Sequence, residues 1–188
     1  AMSEAVAAID GPAPGRQEIL RIVGLSLPQA VAVLAPGLTD SHAIALADQY
    51  RRAAQQIRVE TAEDPLYDGA DETIRRLGRV DDLALGVATG KSMRGVRRLL
   101  SHYRWEDHFS TLQTADDNPS KPHPAMIERA IAETGSEAAL TVMIGDTTFD
   151  MEMARAAGVR PIGVTWGYHS VDALRAAGRD WRLVLEVA

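Results

Sequence analysis

Two acidic residues stand where a predicted buried strand gives way to a helix. The segment LTVMIGD (140–146) is almost entirely apolar and ends in Asp146, and the helical pattern that follows it carries Asp150 in its first turn. Two carboxylates one helical turn apart can face one point above a sheet edge, which is the oxygen environment that a hard divalent cation prefers. The pattern Thr147-x-x-Asp150 also fits a capping box, which would account for Asp150 without a metal but not for Asp146.

A lysine and a threonine are the candidates for binding a phosphoryl group. Lys121 lies in SKPHP (120–124), where the proline after it stiffens the chain at the start of a predicted helix. A fixed ammonium group can neutralise a phosphate and a carboxylate together. Thr89 ends the apolar segment LALGVAT (83–89), and its hydroxyl, with the backbone N–H groups from Gly90 into the next helix, can hold phosphate oxygens. The simpler interpretations are a solvated surface lysine and a tight turn.

The stretch GVATGKS (86–92) is close to a phosphate-binding P-loop but does not match one. A P-loop has four residues between its two glycines, whereas three residues separate Gly86 from Gly90 here. The apolar run also continues through Gly86, which predicts a strand where a P-loop requires a loop. A phosphate site at the strand end replaces the P-loop as the functional interpretation, and on these residues alone a tight turn at Thr89-Gly90 with Ser92 as the helix cap is favoured over it. A P-loop nucleotide enzyme with Lys91 as its lysine stays as an alternative.

Strand and helix patterns alternate from about residue 66 onward. Short apolar runs predict strands covered on both faces, and the segments between them have apolar residues at helical spacing. This alternation predicts an α/β fold in which a parallel sheet carries helices on both faces. The N-terminal part shows no strand pattern and is expected to be a small helical module. The predicted strands are 83–89, 110–115, 140–146 and 160–166, with an edge strand at 181–187, and the predicted helices are 2–9, 17–23, 27–34, 40–57, 67–77, 92–103, 123–135, 149–159 and 171–178.

Composition and charge exclude several classes of site and partner. The chain has no cysteine, which rules out disulfides, thiolate metal ligands and cysteine nucleophiles, and its five histidines show no metal-ligand spacing. A formal net charge of -6 argues against a general nucleic-acid or anionic-membrane surface. No apolar run approaches the roughly 18 residues of a membrane span. We therefore expect a cytoplasmic protein with no nucleic-acid or membrane partner, and the oligomeric state stays open.

Three motifs in this order resemble those of the haloacid dehalogenase-like (HAD) hydrolase superfamily. VATGKS (87–92), SKPHP (120–124) and MIGDTTFDMEMARAAG (143–158) are similar to its second, third and fourth motifs, and most closely to those of its phosphoglycolate-phosphatase-like branch. YDGADETIRRL (67–77) and GVTWGYHS (163–170) are also similar to that branch. The resemblance extends over most of the chain, from about the second predicted helix to the last one.

The resemblance implies both an architecture and a chemistry. Residues 65–188 would form a Rossmann-like HAD core and residues 1–64 its small helical cap. The implied function is a Mg²⁺-dependent phosphatase, a phosphoric monoester hydrolase, that hydrolyses a small phosphorylated metabolite such as phosphoglycolate through an aspartyl phosphate. The implied catalytic residues are Lys121 and Thr89, the implied phosphate-binding residues are Thr89, Gly90 and Lys121, and the implied metal ligands are Asp146 and Asp150.

The first HAD motif, Asp-x-Asp-x-Thr/Val at the end of the first central strand, is not found in this sequence. IDGP (9–12) has Ala8 where the nucleophile belongs and no apolar strand before it, and DGAD (68–71) has neither the spacing nor a strand. We therefore expect the 188 residues alone to be nearly inactive, and the sheet to lack a central strand between 83–89 and 140–146. Two explanations stay open. Either residues upstream in the native protein carry the motif, or the protein has lost it and is a non-catalytic binding or oligomeric module.

Overall fold

The computed structural model describes residues 2–7, 14–60, 65–178 and 184–185. The chain divides into two compact units, residues 1–65 and residues 66–188, which we call the helical unit and the α/β unit. The IDGP segment and most of the predicted edge strand lie outside the described residues. No helix in the described part of the chain has both the length and the apolar composition needed to cross a membrane.

The helical unit consists of the helices that the sequence predicts there. They are α1 (Met2–Ala7), α2 (Arg16–Arg21), α3 (Leu27–Leu34) and α4 (Asp40–Glu60). Both α1 and α3 pack against α4, and the core between them includes Ala5, Val31 and Leu46. Gly24 (φ 99°) and Gly37 (φ 92°) take left-handed backbone conformations in the turns after α2 and α3, which glycine adopts without a steric penalty.

The α/β unit alternates helices and strands in chain order. Its elements are α5 (Ala70–Leu77), β1 (Gly86–Thr89), α6 (Met93–Tyr103), β2 (Thr111–Thr114), α7 (Ala125–Thr134), β3 (Val142–Gly145), α8 (Thr148–Ala156), β4 (Arg160–Val164), α9 (Val171–Ala177) and β5 (Val184–Leu185). β1 pairs in parallel with β2, with Gly86 opposite Thr111. β3, β4 and β5 form a second parallel group, with Val142 opposite Arg160. The predicted α/β fold with a parallel sheet is therefore confirmed.

Helices cover both faces of β1. Val87 packs in a cluster with Val96 of α6, whereas the next residue, Ala88, packs in a cluster with Met126 of α7. Because consecutive strand residues point to opposite faces, α6 and α7 lie on opposite faces of this strand. Met143 of β3 packs against the same cluster as Ala88. β1 and β3 therefore share one core, although they are not paired with each other.

One face of β3 is open, contrary to the prediction that residues 140–146 are covered on both faces. Val142 is 46% exposed and Ile144 is 52% exposed, whereas Met143 between them packs into the core. The reason is that, within the described residues, only β4 pairs with β3 and no element packs over Val142 and Ile144. In the same part of the chain, only β2 pairs with β1. The family resemblance places its central strand between these two edges, and that strand stays a prediction.

Candidate active site

A buried ion pair joins the third and fourth motifs. Lys121 precedes α7, Asp150 lies in the first turn of α8, and Lys121 Nζ donates a hydrogen bond of 2.6 Å to Asp150 Oδ1. Lys121 is 6% exposed and Asp150 is 3% exposed. Removing one partner of such a pair leaves an uncompensated charge in a medium of low dielectric, so each residue requires the other. Lys121 is therefore not the solvated surface lysine of the simpler interpretation.

Asp150 also caps the helix that carries it. Its Oδ2 accepts hydrogen bonds from the Thr147 backbone N–H (3.0 Å) and from the Thr147 hydroxyl (2.8 Å). The capping box predicted from the sequence is therefore present. Gly145 leaves room for this arrangement, because a Cβ there would lie 2.4 Å from both Cβ and Cγ of Asp150. Both oxygens of the Asp150 carboxylate thus have protein partners, one charged and one neutral.

Asp146 lies directly after β3 and is held by residues 165–170, which follow β4 and which we call the clamp loop. Tyr168 N–H donates to Asp146 Oδ2 (2.9 Å), and His169 N–H donates to the Asp146 carbonyl oxygen (3.2 Å). Gly167 permits this close approach, since a Cβ there would lie 2.1 Å from Asp146 Cβ. Asp146 Oδ1 accepts no hydrogen bond from the residues that the structure describes. It is therefore the oxygen that this carboxylate can offer to a ligand.

Thr89 and Gly90 form the turn after β1. Thr89 Oγ1 accepts a hydrogen bond from Lys91 N–H (3.2 Å), which is the local turn of the simpler interpretation. Among the described residues, no hydrogen bond joins Thr89 or Gly90 to Asp146 or to the buried ion pair. The structure thus joins Lys121 of the third motif to Asp150 of the fourth, while Thr89 and Gly90 of the second motif lie at the end of β1, which is not paired with β3 in the described residues.

The start of α6 does not form a P-loop. Gly86 pairs within the ladder of β1, where a P-loop requires a loop that wraps phosphates. Met93 N–H donates to Asp116 Oδ2 (2.8 Å), and Gly95 N–H donates to Ser92 Oγ (3.3 Å). These two amide groups already have acceptors, one of them a carboxylate. These two amides are therefore occupied, and assistance to phosphate binding from the N-terminus of this helix stays a prediction.

Sequence reasoning missed Tyr67, the pKa of whose hydroxyl depends in part on the charge of Asp146. Partial burial raises the pKa of the Tyr67 hydroxyl, and the negative charges of Tyr168 and Asp146 raise it further. Tyr67 and Tyr168 are both about half exposed, so both phenols can meet a ligand. The sequence signals for these two tyrosines were the family-like stretches YDGADETIRRL for Tyr67 and GVTWGYHS for Tyr168. The second stretch also contains the clamp loop.

Asp146 fits a magnesium ion that takes most of its ligands from water or substrate. Mg²⁺ prefers oxygen ligands and is usually held by one or two carboxylates, with several waters retained. Asp146 Oδ1 supplies such an oxygen, whereas both oxygens of Asp150 already have protein partners. Within the described ranges, no group of three or more His, Cys, Asp and Glu side chains is arranged to hold a metal ion. The remaining ligands would therefore be water and phosphate oxygens.

Comparison with known proteins identifies the family. The model of the haloacid dehalogenase-like hydrolase family matches residues 1–164. The probable phosphatase IndB of Dickeya dadantii is 35% identical over 169 residues, which cover 88% of this chain and 73% of IndB. A phosphoglycolate phosphatase of Pectobacterium atrosepticum is 32% identical over 110 residues, which cover 58% of this chain and 47% of that protein.

A solved structure agrees with this assignment at the level of the fold. A hydrolase from Pseudomonas syringae superposes with a TM-score of 0.85 at 23% identity, covering 98% of this chain and 84% of that one. The sequence match and the structural match agree with the resemblance inferred from the three motifs, which is thereby confirmed. This chain belongs to the haloacid dehalogenase-like hydrolase family.

Proposed function

We propose that this protein is a Mg²⁺-dependent phosphoric monoester hydrolase that acts on a small phosphorylated metabolite in the cytoplasm. The observation that carries the proposal is the buried ion pair between Lys121 and Asp150 (2.6 Å). Asp150 lies four residues after Asp146, which follows the carboxyl end of β3. Ligands of parallel α/β sheets bind beyond this end of the strands. Relatives that are named phosphatases support the reaction class, and one of them makes phosphoglycolate the first substrate to test.

Lys121 and Thr89 would be the catalytic residues that contact the phosphoryl group. The 2.6 Å bond to Asp150 fixes the Lys121 ammonium before substrate binds, so its charge needs no reorientation during the reaction. The Thr89 hydroxyl and the Gly90 amide at the end of β1 would bind further phosphoryl oxygens. The phosphate-binding set is therefore Thr89, Gly90 and Lys121.

Asp146 would hold Mg²⁺ through Oδ1, assisted by the charge of Asp150. A bound divalent cation supplies charge compensation between a carboxylate nucleophile and a phosphate. Tyr168 N–H occupies the other oxygen of Asp146, so the carboxylate keeps one orientation. Lys121 and Thr89 would supply the phosphate with a positive charge and a hydrogen-bond donor, and a metal held by Asp146 would add positive charge there.

The attacking group implied by the family is an aspartate, which this sequence does not carry in the Asp-x-Asp-x-Thr/Val pattern. In that reaction a carboxylate oxygen attacks phosphorus, the bond from phosphorus to the substrate oxygen breaks, and water then hydrolyses the aspartyl phosphate. A second aspartate protonates the leaving oxygen and later takes the proton of the water. The helical unit would serve as the cap that excludes bulk water and selects the substrate.

Phosphate release from phosphoglycolate tests the proposal. The assay compares this chain with an N-terminally extended version that supplies a strand ending in Asp-x-Asp-x-Thr, each with Mg²⁺ and with EDTA. We expect release from the extended version with Mg²⁺ and almost none in the other three reactions. Equal, robust release by both versions would contradict the missing-nucleophile argument. Absence of release from both would favour the alternative, a non-catalytic binding or oligomeric module.

Two lysine variants separate this proposal from a P-loop nucleotide enzyme. In the extended version, Lys121→Ala should lower the rate of phosphate release by about 100-fold or more, because it removes a fixed ammonium group that would stabilise the negative charge of the transition state. The exposed Lys91, the sixth residue of the P-loop-like stretch GVATGKS, provides the matched control, and Lys91→Ala should leave release unchanged. ATP binding that is lost in Lys91→Ala and kept in Asp146→Asn would instead support the P-loop enzyme.

A further inference from the structure

The clamp loop contacts the start of α8 through a histidine side chain. Thr148 N–H donates a hydrogen bond of 3.1 Å to His169 Nδ1, and the His169 ring meets the Phe149 ring edge-on with 5.6 Å between the centroids. The backbone N–H of His169 also donates to the Asp146 carbonyl oxygen (3.2 Å). One residue of the clamp loop therefore touches the GDTTFD motif on both sides of Thr147.

The hydrogen bond from Thr148 defines the role of each ring nitrogen. Because Nδ1 of His169 accepts, the proton of the neutral ring is on Nε2. Nε2 is buried and has no hydrogen-bond partner among the described residues. A buried donor without a partner is unfavourable, so the ring is held by its Nδ1 contact and by Phe149 rather than by Nε2. The polar role of this side chain is therefore to accept a hydrogen bond from the backbone N–H of Thr148, the first residue of α8.

We propose that His169 is a positioning residue for the metal site, an inference that rests on the proposed binding of Mg²⁺ by Asp146. Its side chain fixes the start of α8, and its backbone, with that of Tyr168, occupies two oxygens of Asp146. The end of β3 and the start of α8 are thereby tied to one loop, and Oδ1 is the Asp146 side-chain oxygen left for a ligand. Contacts of this kind behind a metal ligand typically change metal affinity by about 10- to 100-fold when they are removed.

Two amide side chains at position 169 separate the acceptor role from general packing. The Oδ1 of asparagine can take the place of the imidazole Nδ1, whereas the glutamine oxygen lies one bond farther out, nearer to Nε2. We expect His169→Gln to weaken Mn²⁺ binding by about tenfold, and His169→Asn to keep it within about threefold of wild type. Mn²⁺ is the probe because it takes the same oxygen ligands as Mg²⁺ and EPR detects the free ion, and competition by Mg²⁺ shows that both occupy one site.

The control variant His42→Gln changes a histidine of the helical unit. His42 Nδ1 also makes a short polar contact, 2.8 Å from Thr39 Oγ1, so the chemical change is matched. We expect it to leave Mn²⁺ affinity unchanged. Asp146→Asn should abolish binding, which locates the measured site. Far-ultraviolet circular dichroism confirms that each variant is folded.

The outcomes distinguish this inference from the proposed function. Equal Mn²⁺ affinity of His169→Gln and wild type, or equal weakening by glutamine and asparagine, would overturn the positioning role and leave the proposed function standing. Absence of Mn²⁺ binding by the wild-type chain, or unchanged binding by Asp146→Asn, would overturn the metal assignment and this inference together. If His169→Gln does not fold, hydrogen exchange in the wild-type chain decides, since rapid exchange of the Thr148 amide would contradict its bond to His169.

Discussion

Breaking the Lys121–Asp150 pair tests whether the third and fourth motifs depend on each other. Lys121→Met keeps much of the side-chain length but leaves the Asp150 carboxylate buried without its cation. The two side chains are 7% and 4% exposed, so water offers little compensation for the lost partner. We expect Lys121→Met to lower the free energy of unfolding by about 3–5 kcal/mol. Asp150→Asn should have a comparable cost, because it leaves the ammonium unpaired.

The double variant Lys121→Met/Asp150→Asn shows whether the cost comes from an unpaired charge. It leaves no buried ion, and the asparagine oxygen can still accept from Thr147, so it should be less destabilised than either single variant. Arg75→Met is the control at a partly exposed site. Arg75 pairs with Asp71 at 2.9 Å and also donates to the Tyr103 carbonyl oxygen at 2.7 Å. The side chains of Arg75 and Asp71 are 38% and 48% exposed, and an ion pair this exposed contributes about 1 kcal/mol or less.

Tryptophan emission during urea unfolding measures these changes in the α/β unit. Trp105, Trp166 and Trp181 all belong to residues 66–188, so the signal reports on that unit and not on the helical unit. With a slope of about 2 kcal/mol per molar urea, a loss of 3–5 kcal/mol lowers the unfolding midpoint by about 1.5–2.5 M. A midpoint shift for Lys121→Met no larger than that for Arg75→Met would refute the reasoning. So would a double variant whose cost equals the sum of the two single costs.

Individual contacts in the α/β unit give three further predictions. Gly167→Ala should weaken Mn²⁺ binding measured by EPR, because its Cβ would lie 2.1 Å from Asp146 Cβ. The Thr111 hydroxyl, which donates to Glu133, holds the pKa of that carboxyl below its usual range, so Thr111→Val should raise this pKa in an NMR titration. Because the folded-state pKa is lowered, the stability advantage of wild type over this variant should be present at neutral pH and lost as the pH falls through the Glu133 pKa. Asp146→Asn should lower the pKa of the Tyr67 hydroxyl in an ultraviolet titration, though only in part, because burial is the larger cause of its rise.

The sequence was sufficient to predict the kinds of elements but not their ends. Apolar periodicity is a local property, and each strand and helix predicted within the described residues is present. The helix predicted from Tyr67 begins only at Ala70, because Gly69 has a left-handed backbone (φ 74°) that no α-helix contains. The strand predicted over 83–89 begins only at Gly86, where β2 offers a partner for its hydrogen bonds. The limit of β1 thus depends on a segment elsewhere in the chain, and that of α5 on the conformation of one residue.

The contacts of the candidate site were less predictable than its residue types. Lys121 and Asp150 are 29 positions apart, and nothing in SKPHP shows that its lysine is buried. The apolar side chains of Val142 and Ile144 predicted a covered face, but exposure depends on what packs there and not on the strand itself. The capping box was predictable, because both of its members lie within four residues.

Two identical carboxylates, four residues apart, acquire different tasks from their surroundings. Asp150 lies against an ammonium group and the amides of a helix start, so its negative charge is compensated by the protein itself. Among the described residues, the partners of Asp146 are neutral N–H groups, and its Oδ1 accepts no hydrogen bond from them. Stability of the α/β unit should therefore depend mainly on Asp150, and affinity for a divalent cation mainly on Asp146. We therefore expect the two acidic residues of this short motif not to be redundant, because Asp150 holds Lys121 and Asp146 would offer an oxygen to the proposed metal.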